Sequence, residues 1–197
     1  MKNNTLTILL ALLVSLVFGG LVYGTALKSA PVQVASAASV DYFLKIEGID
    51  GESTDSMHPG AIEVDSFSWG VSNMGTGGHG GGGGSGKASF QDIHFTSKVS
   101  KASPKLMLAT ATGEHIRQAV LFVRKAGTNQ QDYYVVKFED VLVSSYQSSG
   151  GGSSGDTPTD QFSLNFTKIE FEYKPQKADG TLDAPVKAGY DLKKGTK

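Results

Sequence analysis

The chain has 197 residues, 39% of them hydrophobic, no cysteine and a formal net charge of −1. Its length predicts one domain with an appendage, and its apolar content is sufficient for a core, which excludes a chain that is disordered throughout. The near-neutral charge without a long basic run argues against nucleic acid or an acidic membrane surface as a partner, and the missing cysteines exclude disulfides and cysteine-ligated metal.

The N-terminal segment predicts transport across a membrane. Lys2 precedes an apolar, charge-free run over residues 6–24, which is typical of a signal-peptide core or an N-terminal anchor. The length of this run lies at the border of what spans a bilayer. Small residues near Gly24 and at residues 35–37 offer two cleavage points, so both cleavage and retention of the segment stay open.

Composition then divides the chain into three parts. We predict a signal peptide or membrane anchor over residues 1–26, a linker over residues 27–39 and one folded domain over residues 40–197. The protein is therefore expected to be secreted, periplasmic or extracellular, or anchored to the membrane by residues 6–24.

Alternating apolar and polar residues predict strands in the folded domain. About seven such runs, separated by glycine, serine and proline, have the density expected of a β-sandwich or β-barrel. Strands in which the alternation changes phase bend, or contribute to two buried surfaces. Such changes occur near Asp65 and Ser66, where a bulge is predicted, between Phe138 and Val141, and between Phe166 and Ile169.

One segment predicts a short helix between strands. Ser103 is a candidate N-cap, Pro104 suits the first helical position, and Gly113 provides a stop. Residues 75–86 and 144–155 are rich in glycine or serine and predict long loops, because they have no side-chain face to bury. The polar C-terminal residues, from Pro175 onward, predict an extended surface tail.

Residues 81–87 match G-x-x-x-x-G-K, the pattern of a phosphate-binding loop. Such a loop opens a helix whose N-terminal N–H groups hold the phosphates, and a Ser or Thr then binds magnesium. Here Ala88 takes that position, and the residues after it alternate as in a strand. Five consecutive glycines also leave no stiff cradle. The pattern therefore favours a flexible connection between two strands over a nucleotide site.

No other catalytic or metal-binding arrangement is predicted. Residues 151–155 match the G-x-S-x-G pattern but lie in a Ser/Gly run without a following helix, and the glycosylation pattern at Asn165 lies within a strand. The four histidines are too widely spaced for a local metal pair: His58, His79, His94 and His115. Four carboxylates lie in predicted strands without forming a distinctive pair: Glu139, Asp140, Glu170 and Glu172. The expectation is a protein that is not an enzyme, with no catalytic, cofactor-binding or metal-binding residue.

An ordered set of motifs resembles one known family. The motifs, from about Val40 to the C terminus, are VDYFLKIEGIDGES, SFSWGVS, GKASFQDIHF, SPKLMLATATGEHI, FVRKAG, FEDVLVSS and YKPQKADG. Together they resemble the haemolysin-coregulated protein (Hcp) family, the tube proteins of type VI secretion. The resemblance implies a compact β-barrel of about seven to nine strands with one short α-helix. It also implies that six copies form a ring and that rings stack into a tube.

The resemblance carries expectations about partners. The glycine-rich loop would reach toward an adjacent ring, small protein cargo would ride in the lumen, and secretion-apparatus proteins would be partners, without a cofactor or nucleic acid. The apolar leader departs from the family, whose members usually begin at the equivalent of Val40 and are loaded from the cytoplasm. Two hypotheses follow: a ring and tube subunit, or an exported β-barrel ring that acts as a binding or carrier module outside a type VI apparatus.

Overall fold

The computed structural model describes residues 40–73, 87–125, 130–152 and 157–196, all within one compact unit, Ala37–Lys197. The predicted leader and linker lie outside the described residues, as do His79, Ser153 and the glycine-rich loop up to Gly86. In the part of the chain that is described, no helix is both long and apolar enough to cross a bilayer.

The described residues form ten strands and one helix. In chain order they are β1 (Val40–Ile46), β2 (Ile62–Ser68), β3 (Val71–Asn73), β4 (Ala88–Phe90), β5 (Ile93–Lys98), α1 (Ser103–Thr112), β6 (His115–Lys125), β7 (Asp132–Ser149), β8 (Thr159–Asn165), β9 (Lys168–Tyr173) and β10 (Val186–Asp191). The prediction of a mainly β domain with one short helix is confirmed. The additional strands are short or lie in segments that the sequence assigned to loops and tail.

The main sheet closes on itself to form a barrel. Its strands follow the order β10–β9–β7–β6–β1–β2–β5–β8, and β8 pairs in addition with β7. Six strands therefore form a closed wall, whereas β9 and β10 extend the sheet sideways from the first half of β7. Strands β3 and β4 form a separate two-stranded sheet.

Strand β7 belongs to both the barrel and its extension because it changes partner midway. Its first half pairs with β9 as far as Glu139, and its second half pairs with β8 from Leu142 onward. Asp140 lies between the two halves with a φ of 51°. Phe138 and Val141 are both fully buried on either side of it, so the predicted phase change is confirmed.

The other two phase changes have different causes. The register between β2 and β5 shifts between Val64 and Ser66, so the bulge predicted there is confirmed. At Phe166 the chain instead leaves β8 and starts β9, and the run read as one bent strand is two strands. The phase changes there because the chain passes from the barrel wall to the extension.

The helix packs against the barrel by burying Leu106 and Ala109 in the hydrophobic core. Its predicted stop is confirmed, since Gly113 has a φ of 67° and donates its N–H to the Ala109 carbonyl oxygen at 3.0 Å. The predicted N-cap is wrong by one residue. Ala102 takes that position, and the Ser103 hydroxyl, already within the helix, accepts the Ser100 N–H at 2.9 Å and donates to Asp160.

Two segments assigned to loops or tail are ordered as strands. The end of β7 belongs to the strand, because Ser145 to Ser149 pair with β8 and Tyr146 donates to Asp160 at 2.9 Å. The C-terminal tail contributes β10, which pairs along all of β9. Gly189 allows this close pairing, since a Cβ there would lie 3.2 Å from the Ile169 carbonyl oxygen.

Candidate functional site

The residues after the glycine-rich loop form a strand. Lys87 is exposed, and β4 begins at the next residue and pairs with β3. A phosphate-binding loop would need a helix N-terminus here to direct its N–H groups at the ligand. The G-x-x-x-x-G-K pattern therefore joins two strands of a small sheet, as its β-type alternation predicted.

The three described histidines lie apart and have separate partners. His58 is buried between the rings of Phe43 and Phe122 and bonds to Asp132 at 3.0 Å. His94 contacts the Ser163 hydroxyl at 2.6 Å, and His115 contacts Asp140 at 2.8 Å. Within the described ranges, no three His, Cys, Asp or Glu side chains group closely enough to hold a metal ion.

The four carboxylates noted in the sequence each contact at least one lysine. Lys168 bridges Glu139 at 3.3 Å and Glu170 at 2.8 Å, while Lys187 contacts Glu172 at 2.7 Å. Hydrogen bonds from Lys137 and Lys187 lower the pKa values of Glu139 and Glu172, respectively. A general acid needs a raised pKa, so these two ionised groups are suited to holding strands together and not to donating protons.

Asp140 should make a measurable contribution to stability near neutral pH. Hydrogen bonds from Lys193, at 2.6 Å, and His115 lower its pKa from 3.8 to about 2. The stabilisation is therefore present above pH 3.8 and is lost as the pH falls towards about 2. We expect Asp140→Asn, which tolerates the positive φ, to unfold more easily than wild type at neutral pH.

The gap between Asp140→Asn and wild type should close in acid. Urea unfolding followed between pH 7 and pH 2 measures it. Asp183→Asn is a matched control, because Asp183 contacts Lys177 on an exposed turn at 3.5 Å. A gap that stays constant across this range would contradict the role assigned to the ion pairs of Asp140.

A buried charge pair fixes the long β1–β2 connection over the barrel wall. Both terminal nitrogens of Arg124, whose side chain is 1% exposed, bond to the Asp55 carboxylate. Asp55 also accepts the N–H groups of Met57 and His58 at 2.9 Å each. The bond from Arg124 holds the pKa of Asp55 well below its usual range. The sequence analysis missed this pair, although Arg124, which directly follows the apolar residues 119–123 of β6, was a signal.

The sheet extension creates an open trough of about 670 Å³ on the outer surface of β6, β7, β9 and β10. Val120 and Val135 line it together with the paired charges of Glu172 and Lys187. The opposite surface of the extension is covered by aromatic rings. Trp69 lies 4.9 Å from Phe171, and Phe90 lies 5.3 Å from Tyr190, measured between ring centroids.

Several large apolar side chains are left exposed. On α1, Met107 is 49% and Leu108 is 56% exposed, and at the end of the extension Tyr173 and its cross-strand partner Val186 are 47% and 65% exposed. A helix that faces only water usually carries polar residues on its outer side. These side chains therefore mark surfaces suited to contact with another protein.

Comparison with known proteins assigns the barrel to a family. Residues 43–173 match the family model described as type VI secretion system effector, Hcp. The chain belongs to the Hcp family. Protein hcp1 of Pseudomonas aeruginosa is 44% identical over 157 residues, which cover 79% of this chain and 96% of the relative. The family indicated by the ordered motifs is thus confirmed.

Solved structures agree with this fold. One, described as a type six secretion system protein, superposes with a TM-score of 0.76 at 29% identity, covering 80% of this chain and 99% of that one. Hcp1 from Salmonella typhimurium superposes with a TM-score of 0.65 at 34% identity, covering 80% and 98%. Strand β10 lies beyond the residues matched by the Hcp family model, yet it completes the trough.

Proposed function

We propose that this protein is a structural ring and tube subunit, with six copies per ring and rings stacked end to end. The observation that carries the proposal is the Hcp family match over residues 43–173, which coincides with a closed barrel. Exposed apolar residues on α1 and on the extension support a role in assembly, because a monomer would leave them in water. The paired, ionised carboxylates on the outer sheet support a role without catalysis.

Oligomeric mass tests this proposal. We expect the full-length chain, isolated from the fraction in which it accumulates, to have the mass of six copies in light scattering at micromolar concentration. Electron microscopy should show rings and stacks of rings. A monomer at that concentration would contradict the proposal, whereas isolated rings that copurify with a small protein would favour a carrier module over a tube.

We further propose that the protein acts outside the cytoplasm, in a secretion apparatus or in an extracytoplasmic filament. The apolar, charge-free run over residues 6–24 supports export. Cell fractionation should place the protein in the membrane, periplasmic or medium fraction. A purely cytoplasmic pool that retains its N-terminal methionine would overturn the assignment to an exported protein.

A further inference from the structure

Residues 186–196 pack on the rest of the domain with little burial. They comprise β10 and the turn that follows it, and we refer to them as the C-terminal strap. In the part of the main sheet that the structure describes, β10 is the only strand without a buried side chain. Val186, its first residue, is 65% exposed. The apolar burial that holds the strap in place is therefore small.

The strap is tied to the domain along one edge of β10. That strand pairs with β9 and with no other described strand. Beyond this ladder, Leu192 donates its N–H to the Thr167 carbonyl oxygen at 2.8 Å, and Lys193 donates to Asp140 at 2.6 Å. The Lys193 side chain is 69% exposed, and an ion pair at such an exposure contributes little to stability. The strap therefore depends mainly on one strand ladder.

The closed wall of the barrel does not need the strap. The wall closes through the pairing of β8 with the second half of β7, and neither β9 nor β10 takes part in that closure. None of the buried core residues lies in the strap, although Tyr190 and Leu192 are partly buried against the core. Release of the strap from β9 would therefore leave the barrel wall and its buried core in place.

The strap forms part of the trough. Lys187, Gly189, Asp191 and Lys194 contribute to its lining, together with Val120 of β6. Without the strap, β9 would become the edge of the sheet, and its N–H and C=O groups on that side would lose their partners. The complete trough and the paired edge of β9 therefore exist only while the strap is closed.

We propose that the strap opens as one unit while the barrel stays folded, so that the trough and the edge of β9 switch together between a closed and an open form. Elements that bury few apolar contacts open locally at a lower free energy than the core does. Opening of the strap disrupts one ladder and the contacts of Tyr190 and Leu192, whereas unfolding of the barrel exposes the whole core. A protein that contacts the trough would hold the strap closed, and one that pairs with β9 would hold it open.

Hydrogen exchange followed by mass spectrometry tests this in the full-length wild-type chain. We expect the backbone amides of β10 to exchange at least about tenfold faster than those of β7, because the strap opens without the barrel. Their exchange should also depend less steeply on urea, because opening of the strap exposes less surface than global unfolding does. Exchange of β10 with the rate and the urea dependence of β7 would overturn the proposal.

A disulfide lock separates opening of the strap from simple exposure of its amides. Lys187 and Glu172 are direct cross-strand partners, so their Cα atoms lie about 4.5–5.5 Å apart, within the range of a disulfide. The chain has no cysteine, so Lys187→Cys with Glu172→Cys can form only this bond within one chain. Exchange of β10 should slow at least about tenfold in the oxidised variant and recover on reduction. Equal exchange in the two forms would show that the strap does not open as a unit.

A matched pair of variants tests the tie at Lys193. Lys193→Ala should speed exchange of β10 roughly two- to fivefold, the effect expected for loss of one exposed ion pair, and leave β7 unchanged. Arg117→Ala breaks a comparably exposed ion pair with Glu47, away from the strap, and should leave exchange of β10 unchanged. If Lys193→Ala speeds exchange of β7 as much as that of β10, the strap and the barrel open together and the proposal is wrong.

Discussion

Replacing Asp55 with alanine is expected to lower the free energy of unfolding by about 3–5 kcal/mol, because it leaves a buried charge without its partner. Arg124 is 1% exposed and its terminal nitrogens bond only to Asp55 among the described side chains. The change also removes the acceptor for the N–H groups of Met57 and His58. Urea unfolding followed by circular dichroism measures the loss.

Two variants define this result more closely. Arg117→Ala breaks an ion pair with Glu47 in which the arginine is 80% exposed, so it should change stability little. Replacing Asp55 and Arg124 together by Leu and Met should recover most of the loss, because no unpaired charge is left in the wall. An Asp55→Ala protein as stable as wild type would show that the pair does not hold the β1–β2 connection.

Replacing Phe138 with alanine is expected to cost about 3–5 kcal/mol, the usual range for removing a buried aromatic ring. Phe138 is fully buried, and its ring centroid lies 5.1 Å from that of Phe166. It precedes the point where β7 changes partner, so the cavity would loosen the barrel and its extension together. Thermal and urea unfolding should both report the loss.

The matched variants for Phe138 separate burial from residue size. Phe138→Leu should cost less than Phe138→Ala, because it leaves a smaller cavity. Met107→Ala on the exposed side of α1 should be nearly neutral for the isolated subunit. Equal effects of Phe138→Ala and Met107→Ala on unfolding would contradict the assignment of Phe138 to the core.

Local patterns were sufficient to predict many elements of the fold. Alternation with period two marked most strands, and the phase changes near Asp65 and at Asp140 marked a real bulge and a real change of partner. Gly113 marked the end of the helix, because a left-handed residue there suits glycine. These features depend on backbone conformation within a few residues, which is why one segment of sequence is enough to reveal them.

Two segments with weak alternation were wrongly assigned to loops or tail, because the prediction uses only residues close together in the chain. Ser144–Ser149 and β10 contain serine, glycine and lysine, and their local composition favours loops. They form strands because each pairs along an open edge, the end of β7 with β8 and β10 with β9. An edge supplied by a distant part of the chain leaves no signature in the segment that pairs with it.

The buried charge pair depends still more on distant contacts. Asp55 and Arg124 are 69 residues apart in the chain, so no spacing rule joins them. Only the folded chain brings the two together, where the connection between β1 and β2 meets β6.

The β class, the helix stop and, through the ordered motifs, the Hcp family could be read from the amino-acid sequence, because they are recorded in residues close together or in the order of motifs along the chain. Three features could be seen only in the folded chain: which strands close the barrel, that the C-terminal segment extends it, and that Asp55 pairs with Arg124. These properties arise from pairing between segments many residues apart, and the free energy of such pairing depends on both partners at once.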